Sequence, residues 1–257
     1  MFITTKDLLN SLDDPNLIVV DCRSFNEYAS GHIPHSINLD LFGFHWFDTS
    51  EKGLNSFNDQ TRLLLSFVGV TKDKKIVFYD DVSGMLAARG VWTLMYFSHK
   101  NVMMLNGGIR KWRAEGLPVE QKTNGFSPEK FEEKPDDNII AGFDFINKNL
   151  KNLVIIDARS KEEYEGTVVR GARKGHIPGA INVDWNLNIK EDGTLKDDDH
   201  LSELYRFPKD AKIVTYCQGG YRAANTFLAL KKLGFQNVKV YLGSWGEWSN
   251  RTDLPIE

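Results

Sequence analysis

A lone thiol between an apolar run and a glycine-containing loop is the most reactive arrangement in this chain. The run Lys212-Ile-Val-Thr-Tyr-Cys217 ends at the thiol, the loop is Gln218-Gly-Gly-Tyr-Arg222, and a helix-like stretch follows from Ala223 to about Lys232. A thiol between a strand and a helix amino terminus meets several main-chain N–H groups and the positive end of the helix dipole, and both favour the thiolate, the reactive form of cysteine. A buried structural cysteine is the commoner fate of such a residue. Two glycines and an arginine directly behind the thiol point instead to a nucleophile. The other thiol, Cys22, lies inside a strand-like run and reads as a small core residue.

The segments that must position Cys217 occur twice. Leu17-Ile-Val-Val-Asp-Cys-Arg-Ser24 matches Leu153-Val-Ile-Ile-Asp-Ala-Arg-Ser160, Gly31-His-Ile-Pro34 matches Gly175-His-Ile-Pro178, and Lys75-Ile-Val-Phe-Tyr79 returns as Lys212-Ile-Val-Thr-Tyr216. Asn101, Val102, Gly107 and Trp112 return 136 positions later as Asn237, Val238, Gly243 and Trp248. The chain is a tandem duplication. Each half reads as short β-branched runs alternating with helices, which predicts an α/β domain with a mainly parallel sheet flanked by helices. In the second half the expected elements are Leu153–Asp157, Ile213–Tyr216, Tyr221–Lys232, Val238–Leu242 and Gly243–Asn250, with Ala224, Phe227, Leu228 and Leu230 as the packing stripe of the helix after Cys217. Pro118, Pro128 and Pro135 lie in a polar stretch without periodicity, so the expected organisation is domain 1–118, linker 119–138 and domain 139–257.

The repeat serves as an internal control. Residue types present in both halves belong to the fold, and His32 with His176 and Asp21 with Asp157 meet that test. Arg23 and Arg159 are a pair too, yet Arg159 lies at the sheet edge where an α/β site opens, and is either a loop brace or a substrate-facing group. Three features are unequal. Where the second half has Cys217, the first has Asp80-Asp81, and either acid can be the counterpart depending on where one residue is inserted; the first half is therefore expected to be catalytically silent. Arg222 has no clear basic equivalent at Met85 or Leu86. The second half also inserts eight residues before its Gly-His-Ile-Pro motif, bringing Arg170, Arg173 and Lys174, either a solvated loop or a cationic gate for an anion.

Composition narrows the classes. The 257 residues carry a formal charge of −3 and are 26% charged, with basic and acidic residues interspersed, which gives no nucleic-acid footprint. No apolar run approaches the ~18 residues needed to span a bilayer. The first twenty residues lack a basic segment followed by an apolar block, so a secretory signal is not expected. Two cysteines make no disulfide framework, no Cys/His cluster offers a metal site, and Gly107-Gly108 is far from a nucleotide fingerprint; no cofactor and a reducing cytoplasm are the expectations.

A cradle of N–H groups suits a small anion. Four residues separate Cys217 from Arg222, one fewer than in cysteine phosphatases, which gives a tighter ring suited to a sulfur carried on the cysteine. Covalent transfer through a persulfide divides one hard displacement into two. These residues resemble the tandem-domain rhodanese-type sulfurtransferases, which use thiosulfate or 3-mercaptopyruvate. Tyr28-x3-His32-Ile-Pro34, Gly175-His-Ile-Pro-Gly-Ala180 and Val238-x-x-Tyr241-x-Gly-Ser-Trp-x-Glu-Trp248 are similar to the family's signatures over nearly the whole chain. The resemblance implies two rhodanese-like domains, the first inactive, with Cys217 carrying the persulfide and Gln218, Gly219, Gly220, Tyr221 and Arg222 as its loop. It further implies cyanide, a thiol or a thioredoxin-like protein as acceptor. The loop lacks the basic neighbours of the thiosulfate type and the Cys-Gly-Ser/Thr-Gly-Val-Thr pattern of the mercaptopyruvate type, and Glu163 stands where the family has a substrate-facing arginine. Arg222 supports thiosulfate as donor, with 3-mercaptopyruvate the alternative. The competing readings are a phosphatase or arsenate reductase, and a non-catalytic sulfur-relay or binding module.

Overall fold

The computed structural model describes residues 1–257, and the duplication is visible in its two sheets. In the first half the strands are β1 (Phe2–Ile3), β2 (Leu17–Asp21), β3 (Ile37–Asn38), β4 (Lys75–Tyr79) and β5 (Val102–Leu105), in the order β1-β5-β4-β2-β3. In the second half they are β6 (Ile140–Ala141), β7 (Val154–Asp157), β8 (Ile181–Asn182), β9 (Ile213–Tyr216) and β10 (Val238–Tyr241), in the order β6-β10-β9-β7-β8. Every pairing is parallel. Parallel strands need crossovers that cover both faces, which is why the central strands β4 and β9 are buried nearly end to end and run Ile-Val-Phe-Tyr and Ile-Val-Thr-Tyr. No helix is long and apolar enough to cross a membrane.

The helices repeat as well: α1 (Thr5–Leu9), α2 (Phe25–Ala29), α3 (Glu51–Val68), α4 (Met85–Tyr96) and α5 (Gly108–Ala114), then α6 (Phe143–Asn149), α7 (Lys161–Tyr164), α8 (Asp198–Leu204), α9 (Tyr221–Lys232) and α10 (Ser244–Trp248). Ser24 and Ser160 start α2 and α7 with the same capping box to Glu27 and Glu163. The expected stripe on α9 is exceeded, since every residue from Ala223 to Leu230 is buried, Asn225 and Thr226 included. Each half has its own core: Val19, Ile33, Val77, Tyr79, Ile109 and Trp112 in one, and Ile155, Ile177, Val214, Tyr216, Trp245 and Trp248 at the equivalent places in the other.

The compact units are not contiguous in sequence. One comprises residues 1–44, 57–135 and 189–195; the other comprises 45–56, 136–188 and 196–257. Of the stretch expected as a linker, 119–138, residues 119–135 belong to the first unit and 136–138 to the second. His32 and Glu120 exchange main-chain hydrogen bonds, Glu129 donates to the Ser66 carbonyl, and Phe131 is buried. His176 and Glu257 repeat the exchange in the second unit. Residues 45–56 join the second unit because Thr49 donates through its N–H (2.7 Å) and Oγ (2.6 Å) to the buried Glu247 carboxylate on α10.

One buried device recurs at the carboxyl end of each sheet. The Arg23 guanidinium donates to Asp21 at 2.6–3.2 Å and to the Gly31 carbonyl, while Tyr79 donates its hydroxyl to Asp21 at 2.6 Å. Arg159, Asp157, Gly175 and Tyr216 repeat it. His32 and His176 stack 3.7 Å from Tyr28 and Tyr164 and bond their carbonyls, a structural place in both halves. Removing one member of such a pair strands a buried charge. Arg23→Met is therefore expected to destabilise the fold by about 3–5 kcal/mol in urea unfolding.

Candidate active site

The reactive loop is built by the junction of β9 and α9. Tyr216 ends the strand with its hydroxyl on Asp157, so Cys217 is the first residue beyond the sheet edge. Gly220 caps α9 at φ +85°, a left-handed turn that favours glycine. The start of α10 holds the loop from behind: the Trp245 N–H donates to the Cys217 carbonyl and the Gly246 N–H to the Gln218 carbonyl, both at 2.9 Å. Ser244 Oγ accepts from the Cys217 N–H at 3.2 Å and donates to the Tyr241 carbonyl.

The first half has the same brace, with Ile109 and Arg110 donating to the Asp80 and Asp81 carbonyls. Tyr79 occupies the place of Tyr216, so Asp80, and not Asp81, is the counterpart of Cys217. Its carboxylate lies where an anion belongs. Oδ1 accepts from the Gly84 (3.0 Å) and Val82 (3.3 Å) N–H groups, and Oδ2 from Leu86 and Ala87 (both 3.0 Å). The first N–H groups of a helix have no acceptor within it, and here a side chain supplies one. Since α4 and α9 are both 12 residues long, Gly84, Leu86 and Ala87 correspond to Gly220, Arg222 and Ala223. In the second half the corresponding junction is one residue shorter, Cys217 to Gly220 against Asp80 to Gly84, and carries a thiol in place of the carboxylate.

Arg222 does not stand free over the loop. Its Nη1 and Nη2 donate to Glu163 at 2.5 and 3.1 Å, and Arg170 Nε lies 3.7 Å from the same carboxylate. Burial would lower the Arg222 pKa, but the Glu163 hydrogen bonds, with the Cys217 and Glu163 charges, outweigh it and push it well up. Burial would raise the Glu163 carboxyl, and Arg222 holds it below its ordinary value. Cys217 is 1% exposed, a placement suited to a single protruding donor atom. Cys22 is fully buried, and burial together with the Asp80 charge pushes its thiol well above the ordinary value, an unreactive core cysteine.

The remaining predicted residues separate. Gln218 donates from Nε2 to the Arg170 carbonyl at 3.3 Å. A β-carbon at Gly219 would lie 2.5 Å from His45 Cδ2, and the His45 and Tyr221 rings are 4.7 Å apart, so His45 lies against the loop. Phe47 packs in the same way against Gly246. Phe47, Arg170, Gln218, Gly246 and Arg251 line a cleft beside the loop. Of the suggested cationic gate, only Arg170 is both exposed and near the site. Lys174 is exposed with no tie to the loop, and Arg173 is spent on the main-chain carbonyls of Trp248, Ser249, Arg251 and Leu254. Arg159 is likewise a brace, clamped to Asp157 and Gly175 and lying 4.6 Å from the Trp245 ring, in place of a substrate-facing group.

Sequence reasoning missed Glu163 as a partner of Arg222, and it missed His45, Phe47 and Glu247. For Glu247 a signal existed: the 136-residue offset sets it opposite Lys111, another inequality between halves. His45 carried none.

Comparison with known proteins agrees with this architecture. The family of rhodanese-like domains matches residues 4–115 and 145–251. A thiosulfate sulfurtransferase of Azotobacter vinelandii is 35% identical over 263 residues, and one of Pseudomonas aeruginosa is 32% identical over 266; each alignment covers 100% of this chain and 97% of the relative. The crystal structure of SseA from Escherichia coli, reported for the rhodanese fold and mechanism of 3-mercaptopyruvate sulfotransferases, has a TM-score of 0.79 at 28% identity, covering 95% of this chain and 98% of its own.

Two outcomes follow from the geometry. Gly219→Ala forces its methyl into His45, so it should cost about 1–3 kcal/mol in urea unfolding, and less than half of that in a His45→Gly background. Burial pushes the Asp80 carboxyl up to about 6, against its four N–H donors. The folded state then binds this proton more tightly than the unfolded chain, so Asp80 contributes most stability below its unfolded value and loses it as pH rises to about 6. The stability of the wild type relative to Asp80→Asn should fall between about pH 4 and 6 and stay level above, as read by unfolding at each pH.

Proposed function

The chain belongs to the rhodanese family and is a sulfurtransferase, and from that premise we propose that Cys217 carries the sulfur, that thiosulfate is the donor, and that cyanide or a thiol is the acceptor. The observation that carries the assignment is the paired junction. Asp80, whose carboxylate takes the N–H groups at the start of α4, and Cys217 each directly follow the tyrosine that ends the central strand of their sheet and precede an equivalent helix.

The Cys217 thiolate attacks the outer sulfur of thiosulfate, the sulfur–sulfur bond breaks, and sulfite leaves with the electron pair. The product is a persulfide whose negative outer sulfur is stabilised by the N–H groups at the start of α9, an electrostatic aid of oxyanion-hole type. The acceptor's lone pair then attacks that outer sulfur, and the Cys217 thiolate departs. Gln218, Gly219, Gly220 and Tyr221 shape the ring, and Arg222 supplies positive charge at its edge. Arg170, 65% exposed, is the group that would meet the donor's sulfonate. The thiosulfate sulfurtransferase relatives support the donor, and the likeness to SseA supports 3-mercaptopyruvate as a second one. Both cysteines are free, in keeping with a reducing cytoplasm, where a small thiol or a thioredoxin-like protein would be a suitable acceptor.

Incubation with thiosulfate should add the mass of one sulfur atom at Cys217, removable by cyanide as thiocyanate. Cys217→Ser should fold like the parent while losing turnover by at least about 10³-fold, because the nucleophile itself is gone. Full activity in Cys217→Ser, or an adduct on Cys22 instead, would refute the assignment.

A further inference from the structure

Glu163 has a role its position in the fold does not require. It closes the capping box of α7, accepting from the Ser160 N–H at 3.3 Å while its own N–H donates to Ser160 Oγ at 3.3 Å. Glu27 makes the same box in the first half and remains exposed, with Leu86 where the second half has Arg222. In the second half the carboxylate is buried and set between two arginines, Arg222 at 2.5 and 3.1 Å and Arg170 at 3.7 Å. A capping box needs no arginine. Arg222 itself lies in the loop that begins at Cys217, so the guanidinium and its carboxylate partner stand at the rim of that loop.

The geometry points to Glu163 as a specificity-determining residue: its charge, shared by Arg222 and Arg170, leaves the rim of the Cys217 loop with one net positive charge instead of two, which weakens the preference for doubly over singly charged sulfur donors. This rests on the sulfurtransferase reading. Coulomb energy scales with the charge of the ligand, so neutralising Glu163 changes the logarithm of kcat/KM about twice as much for a dianion as for a monoanion. A purely structural role changes both alike.

Glu163→Gln tests it, since glutamine also serves in a capping box. The donors are thiosulfate, a dianion, and 3-mercaptopyruvate, a carboxylate monoanion, each at low and high salt. We expect kcat/KM to rise about tenfold for thiosulfate and about threefold for 3-mercaptopyruvate, with both gains shrinking in salt. Glu163→Asp should keep the wild-type donor ratio. Alkylation of Cys217 gives a readout that needs no turnover: the rate with anionic iodoacetate relative to neutral iodoacetamide should rise about threefold in Glu163→Gln. Equal changes for both donors, or an unaltered alkylation ratio, overturn the proposal. A raised alkylation ratio in a protein that turns over neither donor upholds the charge role and refutes the choice of donors.

Discussion

Main-chain N–H groups at the start of a helix demand a negative partner, and both halves of this protein are arranged around that demand. At α4 it is met by Asp80, whose two oxygens take four N–H groups. At α9 the strand delivers Cys217 to the corresponding position, and Gly220 caps the helix without a side-chain acceptor. A carboxylate fills the first cradle, and under the proposed reaction the outer sulfur of a persulfide would enter the second. The substitution of a thiol for a carboxylate at the strand end, with a loop one residue shorter and Arg222 in place of Leu86, thus distinguishes the two turns.

That substitution works because the surroundings are rigid in both copies. The Asp–Arg–Tyr cluster fixes the end of the central strand, and the main-chain bonds from α5 and α10 fix the loop behind it. Such preorganisation holds the donors in place without a reorganisation cost during reaction. It also explains why Arg159 is unavailable to a ligand: like Arg23, it is spent on the sheet edge.

The strands and the parallel arrangement were legible because duplication exposed them: β9 and α9 have the predicted bounds, while β7, β10 and α10 differ by a residue or two at their ends. The edge strands β1, β3, β6 and β8 have two residues each, too few to show a period. Helix α3 was not foreseen because its buried stripe, Gly53, Phe57, Thr61, Leu65 and Val68, mixes polar and small residues with apolar ones. The unit boundaries were missed for another reason. Composition marks where a chain is polar, and the polar stretch after Pro118 is held by hydrogen bonds, which leave no compositional trace. The pairing of Glu163 with Arg222 joins residues 59 apart in sequence, and neither neighbourhood announces the other.

The anchoring of Thr49 by Glu247 has a consequence for synthesis. The two residues are 198 apart, so the strap that includes His45 and Phe47 is made early and waits for an acceptor translated 198 residues later. Until the loop after Cys217 and then α10 emerge, His45 and Phe47 lack the residues they pack against, and the nascent first half carries an aromatic segment that belongs elsewhere. A single cut between the repeats would likewise yield no faithful halves, because the carboxy-terminal piece would lack part of its own body. Duplication left two similar modules whose threads cross, each holding a short length of chain from the other's stretch.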